Sequence, residues 1–332
     1  MICGWFVLRS ILGVRHRSSF PFRFSRGGVV GWSGRRGGGW RSLPNSIGLI
    51  DEILSSFCKG PKKGQKIPGA RCHHSARSTT TEPVLSSSST LPYRTAVVTG
   101  ASSGIGHATV EKLAAAGVEV HAIARRADRL KELSRRTGCI AHAIDVTNLE
   151  SCRRALDGLE VDVLVNNAGV SHNDRLYDFP VEKIDQIIDL NLRAVLHLTR
   201  FVLPGMMARN NGHVVIVSSM AGHYPMLGSA PYSATKAAVS QFLDVMRLDT
   251  NGSRIRWTEI MPGRVATEVF EIAMGGDRKA AQEKFLDGKD PLQAGDLADM
   301  IMFALSAPAH VNISRIDAYP TRQASGGFVY AG

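Results

Sequence analysis

Cysteine is sparse in this chain and badly placed for bridging. Cys3, Cys58, Cys72, Cys139 and Cys152 are spread over 332 residues. Their odd number and irregular spacing exclude a disulfide framework and favour a reducing compartment. Cys58 and Cys72 with the neighbouring His73 and His74 match no zinc-ligand spacing, so no metal site is expected. No apolar run reaches the roughly 18 residues that a membrane span needs. Acidic residues are nearly missing from one end: residues 1–90 hold 14 Lys and Arg against Asp51, Glu52 and Glu82. The rest of the chain carries 26 basic and 26 acidic residues, so the formal net charge of +11 belongs to that leader alone. The body is neutral, which excludes the basic footprint of a nucleic-acid binder.

The leader also lacks periodicity. Stretches such as RGGVVGWSGRRGGGWRS bury too little apolar surface to offset chain entropy, so residues 1–90 read as a disordered basic segment. An Arg-rich, acid-poor start fits an organelle transit peptide, and an incorrectly assigned gene start fits as well. An RGG-like RNA-binding tail is a third reading. The body is expected in the cytoplasm, or in a mitochondrion or plastid if the leader is a genuine transit peptide.

From residue 91 to 332 the chain has a regular plan. Short β-branched runs at 95–98, 118–123, 140–144, 161–165, 214–217, 256–260 and 313–318 read as buried strands. Helical patterns lie between them, including a single long amphipathic helix over 181–209 that contains Asn191. Alternating strands and helices predict right-handed βαβ units and a parallel sheet, with ligands beyond the carboxyl ends of the strands.

Those ends carry the motifs. The first strand runs into Gly100-Ala101-Ser102-Ser103-Gly104-Ile105-Gly106 and then a helix. Strand, glycine turn, helix is the setting that cradles a dinucleotide pyrophosphate. Gly100 permits the tight turn, and Gly104 and Gly106 allow close approach of phosphate and strand. The second strand ends at Ala124 rather than at the carboxylate that would hold a ribose 2′-hydroxyl. Arg125 and Arg126 follow and offer guanidinium groups to a 2′-phosphate. The expected cofactor is therefore NADP. The fourth strand ends at Asn166-Asn167-Ala168-Gly169, the fifth at Ser218-Ser219 and the sixth at Pro262-Gly263. Residues 268–290 are mixed and charged, and read as a lid over a substrate pocket.

Tyr232 and Lys236 stand four residues apart on a predicted helix over 229–248, so they share one face. A free phenol has a pKa of about 10. A lysine beside it, together with the positive ring of an oxidised nicotinamide, favours the phenolate, which would make Tyr232 a general acid/base for an alcohol proton while hydride leaves its carbon.

The order Thr99–Gly106, Asn166–Gly169, Asn191, Ser219, Tyr232–Lys236, Pro262-Gly263 resembles the short-chain dehydrogenase/reductase family, over residues 93 to about 320. Ala124-Arg125-Arg126, the run 202–206, Arg209 to His213 and Pro308 to Ile313 resemble its NADP-dependent 3-hydroxy acid dehydrogenase, serine dehydrogenase-like branch. The resemblance implies a single Rossmann domain, a doubly wound parallel sheet of about seven strands in the order 3-2-1-4-5-6-7. It implies catalysis by Asn191, Ser219, Tyr232 and Lys236. Ser219 would donate to the substrate oxygen, Lys236 would hold the ribose and lower the Tyr232 pKa, and Asn191 would anchor a water. Asp145 and Val146 would border the adenine. Asn167, Ala168 and Gly169 would line the cofactor, and Val265 and Thr267 its carboxamide. It also implies a homodimer or homotetramer. Ala194 replaces the family's glycine after Asn191, and Ser103 replaces the basic residue common in NADP members.

The expected activity is interconversion of a secondary alcohol and its carbonyl, with a short 3-hydroxy acid as the leading substrate. Arg264, Arg278 and Lys279 are placed to meet its carboxylate. The alternatives are reduction of a larger steroid, polyketide or fatty acyl carbonyl, and a non-catalytic cofactor-binding protein.

Overall fold

The computed structural model describes residues 91–324, and the leader expected over residues 1–90 lies outside them. β1 (Thr95–Thr99) opens the domain with the run TAVVT. Ala96 and Val98 face one apolar layer and Val97 the other, all fully buried. That alternation is the period-two geometry of a strand covered on both faces. β2 (Glu119–Ala124), β3 (Ile140–Ala143), β4 (Val163–Asn166), β5 (Gly212–Val217), β6 (Ile255–Pro262) and β7 (Arg315–Ala318) complete the sheet. The order is β3-β2-β1-β4-β5-β6-β7, and every pairing is parallel. This is the expected doubly wound sheet, with strand ends shifted by a residue or two from the sequence reading.

Helices cover both faces. On one, α1 (Gly104–Ala115), α2 (Ala127–Thr137) and α9 (Ala294–Ser306) bury Val110, Leu113, Leu130, Leu133, Leu297 and Ile301 against the β1–β2 side. On the other, α3 (Leu149–Leu156), α5 (Ala194–Arg209) and α6 (Ala230–Asp249) bury Leu156, Leu198, Val202, Val239 and Leu243 with Trp257 of β6. The strand order reverses between β1 and β4, which splays the connections apart and opens a crevice above their carboxyl ends.

The predicted single helix over 181–209 is three pieces. α4 (Val181–Ile188) passes into a π-helical turn (Asp189–Arg193) and then α5. Asn191 sits in the π turn and is buried. Such insertions in helices often mark functional sites. The 268–290 segment holds two short helices, α7 (Val269–Ala273) and α8 (Arg278–Ala281), and a second π turn (Gln282–Leu286).

Candidate active site

The glycine turn is shaped by contacts that leave no room for side chains. Gly100 adopts φ 68°, which favours glycine, and a Cβ there would lie 2.8 Å from the Asn167 amide. A Cβ on Gly106 would lie 2.5 Å from both Asn167 Nδ2 and the Gly100 carbonyl oxygen. Asn167 ties the ends of β1 and β4 together. Its Nδ2 donates to the Thr99 carbonyl at 2.9 Å, while its backbone N–H donates to Thr99 Oγ1 at 3.0 Å. Ala168 N–H donates to the same hydroxyl at 3.0 Å. Thr99 therefore organises the crevice floor, although the sequence reading gave it no role.

At the start of α1, Ser103 is the N-cap but its side chain makes no capping hydrogen bond, and no acidic residue stands in the first turn. The leading amides of α1 are thus without a side-chain acceptor, a donor set suited to a phosphate. The Ser103 hydroxyl is used elsewhere. It accepts from Arg126 Nη2 at 2.6 Å, and Ser102 Oγ accepts from Arg126 Nε at 3.0 Å. The serine that stands in place of a basic residue therefore aims an arginine instead. Arg126 also donates to Glu268 at 2.6 Å, and Arg129 donates to the other oxygen of that carboxylate. Burial would raise the Glu268 pKa, but the hydrogen bonds from Arg129 and Arg126 outweigh it and hold the carboxyl low. Arg125 lies 4.0 Å from Asp145. Asp145 itself accepts from Thr147 N–H and Oγ1 at 2.9 and 2.8 Å, closing a turn, while Asn148 caps α3.

The second half of the site is built on β5 and α6. Ser219 follows β5 in extended backbone (φ −168°), and its Oγ accepts from Ala221 N–H at 3.1 Å. Lys236 is buried at 5% exposure on α6, and its Nζ donates to the Val217 carbonyl at 2.9 Å. The ammonium lies 5.7 Å from the Tyr232 ring centroid, so the predicted shared face is present. Burial dominates the electrostatics of both groups. Burial pushes the Tyr232 phenol up, and the hydrogen bond with Ser219 pulls the other way. Burial also lowers the Lys236 pKa to about 8, with the Glu259 carboxylate opposing it. Both groups are too poorly hydrated to hold charge cheaply, so desolvation is the largest influence on each.

Asn191 grips a backbone segment. Its Oδ1 accepts from Val170 N–H at 2.9 Å and its Nδ2 donates to the Val170 carbonyl at 2.8 Å. A Cβ built on Gly169 would lie 3.2 Å from Asn191 Oδ1 and 3.7 Å from Lys236 Nζ, so these groups converge. Ala194 is buried without strain at the head of α5 (φ −60°, ψ −40°).

One cavity of about 610 Å³ joins the halves, within the usual size of a ligand pocket. It is bordered by Gly100, Ser102, Ser103, Gly104, Ile105, Arg125, Arg126, Asp145, Val146, Asn167, Ala168 and Gly169 on one side of the fold, and by Ser219, Tyr232, Lys236, Pro262, Gly263, Val265 and Thr267 on the other. Gly106 and Asn191 stand behind this lining and shape it. Glu268, Phe270, Lys284 and Phe285 border it from the 268–290 segment, so that segment caps the cavity as expected. Of the three cations expected to meet an acid, Arg278 and Lys279 do not line the cavity, and Lys279 pairs with Glu283 at 3.9 Å. Arg264 does line it, but its guanidinium lies over the Phe270 and Phe285 rings and donates to the Phe285 carbonyl at 2.7 Å. The sequence reading placed Lys284 only among the charges of the 268–290 segment and gave Asn173 and Arg129 no role, because their partners are remote in the chain. Among the described residues no cluster of His, Cys, Asp or Glu is suited to a metal ion.

Residues 94–274 match the short chain dehydrogenase family. Serine 3-dehydrogenase of Rhizobium radiobacter is 36% identical over 242 residues, covering 70% of this chain and 96% of that protein. NADP-dependent 3-hydroxy acid dehydrogenase YdfG of Salmonella typhi is 34% identical over 240 residues, with coverage of 70% and 96%. Among solved structures, a closed form of serine dehydrogenase complexed with NADP+ superimposes with a TM-score of 0.68 at 33% identity, covering 72% of this chain and 99% of that one.

Proposed function

The chain belongs to the short chain dehydrogenase family, and we propose that it is an NADP-dependent oxidoreductase that interconverts a short 3-hydroxy acid and its carbonyl form. The observation that carries this is the single cavity shared by the glycine turn with Arg126 and by Ser219, Tyr232 and Lys236. Relatives named serine 3-dehydrogenase and 3-hydroxy acid dehydrogenase support the substrate class.

The dinucleotide fits the residues present: a glycine turn that a Cβ would fill, uncapped amides at α1, and an arginine held by two serines. When bound, the nicotinamide supplies or accepts the hydride. The protein does the rest. The α1 amides bind the pyrophosphate. Arg126, with Arg125, binds the 2′-phosphate. Ser219 Oγ hydrogen-bonds the reacting oxygen of the substrate and fixes its direction. Tyr232 Oη gives that oxygen a proton in reduction and takes it in oxidation. Lys236 Nζ, which donates to the Val217 carbonyl, would hold the ribose hydroxyls. Asn191 holds Val170, and so the floor of the pocket, in place.

Exposed apolar residues Val245 and Leu248 on α6 support a homodimer or homotetramer assembled on that helix, which light scattering will read. No helix among the described residues is long and apolar enough to cross a membrane. The same reading places the enzyme in the cytoplasm, or in a mitochondrion or plastid where residues 1–90 serve as a transit peptide.

Initial rates with NADPH and NADH against a carbonyl panel containing malonic semialdehyde test the assignment. Tyr232→Phe removes the proton carrier and should lower kcat by about 10²- to 10⁴-fold with NADPH binding unchanged. Near-normal turnover by that variant would refute the proton-transfer role.

A further inference from the structure

The cap carries a cation whose surroundings are suited to a substrate anion. Lys284 lies in the π turn Gln282–Leu286 and borders the active-site cavity. Its Nζ is 3.3 Å from Asn173 Oδ1 and 3.9 Å from the Met274 sulfur, and it lies 5.2 Å from the Phe285 ring centroid. All three neighbours are uncharged. Among the described residues no carboxylate forms an ion pair with it, whereas Lys279 on the same segment pairs with Glu283.

Both sides of this contact are braced. Asn173 Nδ2 donates to the Leu227 carbonyl and to Ser229 Oγ, each at 3.2 Å, so its oxygen is left to face Lys284. Ser229 is the N-cap position of α6, the helix that carries Tyr232. On the other side, Lys289 Nζ donates to the Lys284 carbonyl at 2.6 Å, which fixes the backbone from which Lys284 projects. A neutral amide oxygen is a weak partner for an ammonium, and a carboxylate entering the cavity would replace it with a charge-assisted pair. Lys284 itself is exposed at the cavity rim, with Met274 and Phe285 forming its apolar flank.

We propose that Lys284, steadied by Asn173, is the group that reads the carboxylate of the substrate, in a subsite formed between the cap and the loop before α6. This rests on the 3-hydroxy acid reading above. It assigns discrimination to the cap rather than to the sheet.

The test compares a 3-hydroxy acid with its methyl ester, in the wild type and in Lys284→Met and Lys284→Arg variants, with NADPH affinity measured by fluorescence titration. The wild type is expected to favour the acid. Lys284→Met should raise KM for the acid about tenfold, leave the ester kinetics and NADPH affinity unchanged, and Lys284→Arg should restore part of the preference. If the wild type prefers the acid and Lys284→Met keeps that preference, the assignment of Lys284 is overturned while the substrate class stands. A wild type that handles acid and ester alike overturns the substrate class, and the subsite with it.

Discussion

Replacing Lys236 by methionine should stabilise the cofactor-free protein at neutral pH while abolishing turnover. The buried ammonium has its pKa lowered from 10.5 to about 8, chiefly by desolvation. A shift of that size corresponds to about 3 kcal/mol of penalty on the charged form. Methionine fills similar space without the charge, but leaves the Val217 carbonyl without the lysine donor, at about 1 kcal/mol. The net gain at pH 7 is about 2 kcal/mol, or roughly 4–8 °C in Tm. The pH dependence follows from the same shift. Below pH 8 lysine is protonated in both states and the folded protein carries the full penalty. Above it the folded lysine loses its proton, while the unfolded one keeps it up to about 10.5. The unfolded state then binds more protons, so wild-type stability rises with pH. Between pH 7 and 9.5 the wild type should recover about 2 kcal/mol relative to the variant. Tyr232 is present in both proteins, so any titration of its phenol cancels to first order in the difference between them. Urea denaturation of both proteins at half-unit steps of pH measures the difference. A difference that stays constant from pH 7 to 9.5 would refute the account of Lys236 as a lysine held against its solvation.

Two other substitutions probe the crevice. Arg126→Gln removes the group held by Ser102 and Ser103, and should raise KM for NADPH about 10- to 100-fold while NADH kinetics stay level; an equal loss with both cofactors would sink its role at the 2′-phosphate. Gly106→Ala places a Cβ 2.5 Å from the Gly100 carbonyl oxygen. It should lower stability by about 1–3 kcal/mol and abolish NADPH binding by fluorescence titration, and an unchanged melting curve would contradict the packing described.

Much of the site was legible in the sequence because its parts are local. The glycine turn declares itself by needing backbone without side chains, and Tyr232 and Lys236 meet because they are one helical turn apart. The parallel sheet followed from alternation of strands and helices, and its strand order from the resemblance to the family. What was not legible lies in pairs joined only by folding. Arg126 and Glu268 are 142 residues apart, and Asn173 and Lys284 are 111 apart. No local pattern announces either pair. The burial that raises the Tyr232 phenol was not legible for a related reason. Spacing puts a lysine beside a phenol, but desolvation of both depends on how closely α6 packs, and spacing carries no information about that.

The π turn at 189–193 has a consequence for the phase of the helix. Each residue of an α-helix advances about 100° around its axis, and a π turn takes in one residue more per turn than its neighbours. Ile187 before it packs with Val170 and Phe179, whereas Val195 and Leu198 beyond it pack on the β4–β5 layer. The extra residue is what lets one rod present two differently clocked apolar stripes to two separate supports. Asn191 stands at the changeover and fastens the nearer support by its amide. A chain shortened by one residue there would still coil, but it would have to rotate away either from the pocket floor or from the sheet.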